Sequence, residues 1–265
     1  MKKTFALTAM LIALSKSTFV YGQSLEPFSQ FQIDASLPLQ FNTNSLITTT
    51  NSQSDFFASP FLKLSTLGNL SPTLSYSIYA STAPDAYARV KAADDAAAIV
   101  GGKIVKAICD YKIGAIYEHS LTYDGVFRSL LFQADDFSGF VGYAHKNAAG
   151  FTFAPSAMTT YRAADLASAE RVVVTVKAEM QQDLTKSLSA FLTPKIRYYG
   201  YTAGTASGRR DTYPSLLGGL TYAADKDWGV TASVEYDQRW SNVLSANFTN
   251  TIFLLSLDFT HTYNR

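Results

Sequence analysis

The sequence predicts an all-β fold, a transmembrane up-and-down antiparallel β-barrel of about 12 strands. Three observations carry that expectation. Apolar and polar residues alternate with a period of two through segment after segment, as in strands with one greasy and one wet face. The connections between these segments alternate between short turns and long loops. Finally, no apolar run of about 18 residues follows the N-terminal region, so strands rather than an ordinary helix would have to do any spanning.

The first element is "MKKTFALTAMLIALSKSTFVYGQS", with Lys2 and Lys3, an apolar run from Phe5 to Leu14, and then small and polar residues. That order predicts a secretory signal peptide over residues 1–22, cut after Gly22 and exported through the Sec route. Residues 23–265 are then expected to form a single domain. The chain has 265 residues, 47% hydrophobic and 16% charged, a globular but charge-poor composition. Loss of residues 1–22 would remove Lys2, Lys3 and Lys16 and no acid, leaving the charges near balance, so no field for nucleic acid is expected. Cys109 is the single cysteine, which excludes an internal disulfide.

The strands follow in order. The first, "QFQIDASLPLQFN", puts Phe31, Ile33, Ala35, Leu37, Leu39 and Phe41 on one face and Gln32, Asp34, Ser36 and Gln40 on the other. Further segments are expected at 56–66, 73–82, 96–107, 110–119, 136–146, 151–161, 170–181, 186–199, 213–223, 228–239 and 250–263. In "DWGVTASVEYDQRW", Trp228, Val230, Ala232, Val234 and Tyr236 oppose Gly229, Thr231, Ser233, Glu235 and Asp237. Long connections fall at 43–55, 83–95, 120–135, 162–169, 200–212 and 240–249, with "LGNLSP", Ile108-Cys109, "NAAG", "QDLT" and "AADKD" as the short turns between them. Pro84 followed by "DAYARVKAADDAAA", and the later "RAADLASAER", suit short rim helices, because Pro is tolerated in a first helical turn and Ala favours helix.

A soluble sandwich also alternates, so a secreted β-sandwich binding protein is the competing fold. Three features favour the barrel. The apolar faces end in aromatics, which belong at membrane interfaces: Phe31, Tyr143, Phe151, Tyr222, Trp228, Phe259 and Tyr263 toward one rim, and Phe41, Tyr117, Phe137, Tyr198, Tyr236 and Phe253 toward the other. The alternation of loop lengths runs through the whole chain, unlike a Greek key. Closure also leaves no unpaired edge in hydrocarbon.

The leader, the alternating hairpins and the last strand "TIFLLSLDFTHTY" together resemble Gram-negative outer-membrane β-barrel proteins over essentially the full mature length. Phe253, Leu255, Leu257, Phe259 and Tyr263 match that class's terminal assembly signal in spacing, with His261 at one apolar position and Asn264-Arg265 beyond it. The resemblance implies a monomer in the bacterial outer membrane, contacts with lipid, lipopolysaccharide and the barrel-assembly machinery, both termini in the periplasm, and no cofactor.

On this reading Arg171, Lys195, Arg197, Glu235 and Asp237 line the outer half of the lumen and Lys177, Glu179 and Asp258 the lower half, forming either the constriction of a narrow small-solute channel or the plug of a salt-bridged structural barrel. An outer-membrane hydrolase is the third class, but it needs a nucleophile beside a general base on one wall, and His119, His145 and His261 have no serine two residues away. Asp94-Asp95 and Asp135-Asp136 offer oxygens of the kind calcium takes, with solvated acids the commoner reading. Arg209 and Arg210, in "GRRD", could grip lipopolysaccharide phosphates from an outer loop.

Overall fold

The alternating segments become extended backbone paired edge to edge in a computed structural model that describes residues 29–44 and 53–264. The leader assigned to residues 1–22 lies outside the described residues. The strands are β1 (Gln30–Asn42), β2 (Asp55–Ala58), β3 (Phe61–Ser71), β4 (Leu74–Tyr87), β5 (Asp95–Ile108), β6 (Tyr111–Asp124) and β7 (Ser129–Tyr143). They continue with β8 (His145–Lys146), β9 (Phe151–Ala164), β10 (Arg171–Asp183), β11 (Leu188–Tyr201), β12 (Arg210–Ala223), β13 (Trp228–Ser241) and β14 (Phe248–Asn264).

Each wall strand pairs antiparallel with its neighbours in sequence, and β14 returns to pair with β1 from Gln30↔Asn264 to Asn42↔Ile252, closing a barrel of 12 wall strands. Two walls are interrupted. Pro60 cannot donate to a ladder, so β2 and β3 form one wall strand broken at Ser59-Pro60. At the second break Ala144 leaves its wall and donates its N–H to the Asp110 carbonyl in the adjacent turn.

The register fixes which face is which, because a slip by one residue would turn every side chain over. Leu39 is 57% exposed, Ile196 55% and Leu255 55%, while Glu235 keeps only 5% of its surface and Lys195 7%. This inverts a soluble protein, in which large aliphatics are buried and charges solvated. It is the pattern of a transmembrane barrel, apolar outside and polar within.

The rims differ from expectation in two respects. Strands run further than the sequence suggests at the end bearing the longer connections, hereafter the loop end. β6 reaches Asp124 and β7 starts at Ser129, so the long connection expected at 120–135 contracts to 125–128, where Gly125 (φ 67°) and Phe127 (φ 57°) adopt left-handed backbone. The helices expected after Pro84 and in "RAADLASAER" are absent. Asp85 pairs with Asp95 across β4 and β5, and only single 3-10 turns form, at Lys91–Ala93 and Ala167–Ala169. Alanine's helix preference amounts to tenths of a kcal/mol per residue and a short helix bears a nucleation cost, so a continuing ladder prevails. At the opposite, turn end, connections are as brief as residues 72–73, and Cys109 (φ 51°) forms the exposed corner between β5 and β6.

Candidate functional site

The lumen is the candidate site, and its two halves differ. In the loop half large polar side chains fill the space. Asn42 (1% exposed), Asp55 (2%), Arg171 (1%) and Asp211 (0%) are sealed in beside Tyr87, Tyr199, Tyr201 and Phe248. In the turn half Gln32, Ser77, Lys103, Lys112, Ser156 and Ser189 all keep part of their surface open.

A buried charge needs a partner and well-placed hydrogen bonds. Lys195 on β11 meets Glu235 on β13 at 3.0 Å, reaching diagonally past β12, where Ser215 stands opposite Lys195 and Leu217 opposite Glu235. Arg197 lies 3.9 Å from Asp237. Arg162 binds Asp136 through two parallel bonds, Nε to Oδ1 at 2.8 Å and Nη2 to Oδ2 at 2.5 Å. Arg209 binds Asp211 in the same forked way, at 3.0 and 2.5 Å. Tyrosines supply the rest. Arg171 lies 5.2 Å from the ring centre of Tyr199 and 5.8 Å from that of Tyr201, and Arg197 and Arg239 lie 5.5 and 5.7 Å from that of Tyr213. Cation–π contact gains strength once desolvated, which suits guanidinium in so dry a place.

Of the other charges assigned to the lumen, Lys177 bonds Glu179 two residues along its own strand at 2.5 Å. Asp258 accepts from the hydroxyls of Thr231 and Ser256, each at 2.7 Å. The eight charges named from the sequence stand on the polar phase of their strands, opposite the exposed aliphatics, and each is buried or half-buried. That reading missed Lys63, Lys103, Lys112, Glu118, Asp136 and Arg162, which lie on the polar phase of β3, β5, β6, β7 and β9 and were legible there.

Two of the missed lysines share one construction. Gly101 faces Tyr79 so closely that a Cβ there would lie 2.7 Å from the ring; the bare backbone lets the ring lie flat, Lys63 sits 4.4 Å above it, and its hydroxyl donates to Glu118 at 2.5 Å. Gly114 does the same for Phe140, where a Cβ would come within 2.6 Å, and Lys103 sits 5.1 Å from that ring's centre.

On the outside, the ten named belt aromatics occupy the apolar face, Tyr222 at 51% exposure and Tyr263 at 53% among them. Several pair: Phe31 with Tyr263 at 6.2 Å and Trp228 with Phe259 at 4.8 Å toward the turn end, and Tyr117 with Phe137 at 5.3 Å and Phe41 with Phe253 at 6.4 Å toward the loop end. Tyr143 stands 5.2 Å from Tyr111, while Tyr198 and Tyr236 stay exposed.

Two of the histidines bind carboxylates that spacing did not reveal. His119 lies 3.0 Å from Asp135, which also accepts from the Tyr117 hydroxyl, and His261 lies 2.9 Å from Asp227. Among the described residues no serine or cysteine hydrogen-bonds to an imidazole, and no cluster of metal-ligating side chains forms. The acids considered for calcium are used otherwise, Asp94 in accepting the Tyr87 N–H and Asp136 in holding Arg162. Arg209 turns to Asp211 instead of outward, leaving Arg210 exposed.

Comparison with solved structures places this geometry. An outer-membrane channel from Pseudomonas putida F1 superposes with a TM-score of 0.60 at 9% identity, over 90% of this chain and 97% of that one. The β domain of the Bordetella autotransporter BrkA gives 0.52 at 10% identity, over 87% and 99%. No protein-family model matches the sequence, and no curated protein matches it either. The fold is that of the Gram-negative outer-membrane β-barrels.

Proposed function

We propose that the protein is a monomeric barrel of the bacterial outer membrane that works as a narrow channel for small solutes and is not an enzyme. Its exposed aliphatic face would meet acyl chains and lipopolysaccharide, its belt aromatics would sit at headgroup depth, and both termini would lie in the periplasm after export and insertion by the barrel-assembly machinery. The observation that supports the reading is the polar interior, whose side chains keep part of their surface exposed in the turn half and are packed in the loop half, Lys195, Glu235, Arg162 and Asp136 among them. Barrels of about eight strands are filled by side chains and those of 16 to 18 leave wide channels, so 12 strands with one packed layer fit a small bore. The superposed Pseudomonas channel supports it by fold alone.

One observation favours a second reading, a sealed structural barrel: Arg171, Lys195, Arg197, Glu235 and Asp237 are each at most 7% exposed. Planar bilayers separate the two. The channel reading expects small, discrete conductance steps from the purified protein, enlarged when Lys195→Ala and Glu235→Ala are combined to thin the packed layer. Silence of both proteins at every voltage and salt concentration establishes the sealed barrel instead.

A further inference from the structure

We infer that the turn half of the lumen holds a binding site for a small polyvalent oxyanion, centred on Lys103; as the solute class of the channel, this rests on the reading above. Four lysines converge there from different walls. Lys63 covers the ring that lies on Gly101, two residues from Lys103 on one face, and Lys112 is two residues from Gly114, which seats the ring that Lys103 covers; the charge of Lys177, on β10, acts on Lys103 from another wall. Lys177 has Glu179 beside it, and Lys63 feels the charges of Asp34 and Glu118. Lys103 is different. Among the described residues it makes no ion pair, and its one recorded partner is the face of Phe140.

That arrangement is costly unless something neutralises it. Ammonium groups repel one another more strongly near low-dielectric walls than in bulk water. A ring face orients Lys103 but carries no charge to offset, and it leaves the ammonium protons free to donate. An oxyanion among the lysines relieves the repulsion and accepts several charge-assisted bonds at once, whereas chloride offers a single charge without fixed acceptor directions. The glycine under each ring builds the site into the wall: Gly114 seats Phe140 below Lys103, as Gly101 seats Tyr79 below Lys63. The side chains of this half keep part of their surface exposed, so a bound anion can exchange, as passage requires.

Inorganic phosphate is the probe, titrated by calorimetry into the purified full chain in detergent at low ionic strength, with acetate as the monovalent control. Wild type is expected to bind phosphate more tightly than acetate. Lys103→Gln should weaken phosphate about tenfold, the loss typical of one charge-assisted bond, while Lys103→Arg retains it and Arg128→Gln, in the exposed turn 125–128 at the loop end, leaves it unaffected. Heat-modified gel mobility identifies folded variants; should Lys103→Gln not fold, Lys63→Gln takes its place with the same expected weakening. Absence of phosphate binding, or equal affinity in the folded glutamine variant, overturns the site. The same proteins in planar bilayers separate this outcome from failure of the channel: phosphate binding without conductance overturns the channel and keeps the site, and conductance with no phosphate binding overturns the site alone.

Discussion

A lysine and a glutamate, each 6% exposed in its side chain, hold one layer of the loop half together, and the physics of buried pairs sets what their loss costs. Removing one partner strands the other charge in a dry place, at a cost of about 3–5 kcal/mol, whereas replacing both with apolar groups of similar volume is close to neutral. Glu235→Ala is therefore expected to lower the urea midpoint of the lipid-reconstituted protein sharply, and Lys195→Met with Glu235→Leu to lie near wild type; equal midpoints for the single and double variants would deny that the pair is buried. The sequence showed that Lys195 and Glu235 share the polar face. It could not show that they meet across β12, because Lys195 stands opposite Ser215 and Glu235 opposite Leu217, and a diagonal contact between them depends on the curvature of the closed wall. Gly101 and Gly114 were likewise visible, but their use in seating Tyr79 and Phe140 follows only from the register that brings each ring opposite its glycine.

The hairpins were legible at the element scale wherever a turn is specified by local chemistry. Between β12 and β13 the carboxylate of Asp225 accepts the backbone N–H groups of Asp227 at 2.7 Å and Trp228 at 2.8 Å. Those two bonds hold its pKa below the ordinary carboxylate value. A lowered pKa means that the folded state favours the charged form. The contribution is thus complete above the unfolded carboxylate's pKa of about 3.9 and is lost as pH falls through the lower, folded value. Asp225→Ala should unfold at lower urea than wild type at pH 7, with the gap closing in strong acid; a gap independent of pH would assign the effect to something other than this carboxylate. The loop-end rims were less legible, because their alanine-rich stretches carry no strong turn signal. Their 3-10 corners are set by the strands they join, as the Ala93 N–H bond to the Val90 carbonyl illustrates at 2.8 Å.

At the scale of the whole molecule, the period-two pattern and the rhythm of the connections were enough to yield the closed antiparallel barrel, since each wall strand pairs with its sequence neighbours and each carries its own apolar face. The division into a dry loop half and a wetter turn half was not available, because filling a lumen depends on side chains from opposite walls meeting at one depth. Lys103 and Lys177, far apart in sequence, interact only once the sheet closes. Which face meets hydrocarbon decides between a barrel in lipid and a soluble one. Nitroxide labels at Ile78 and Ser77, adjacent on β4 with Ile78 49% exposed on the outer face, test this in liposomes after Cys109→Ser. Relaxation by dissolved oxygen should dominate at residue 78, and relaxation by a water-soluble nickel chelate at residue 77. Strong chelate contact at residue 78 with oxygen contact at residue 77 would mean that the aliphatic face is not in lipid.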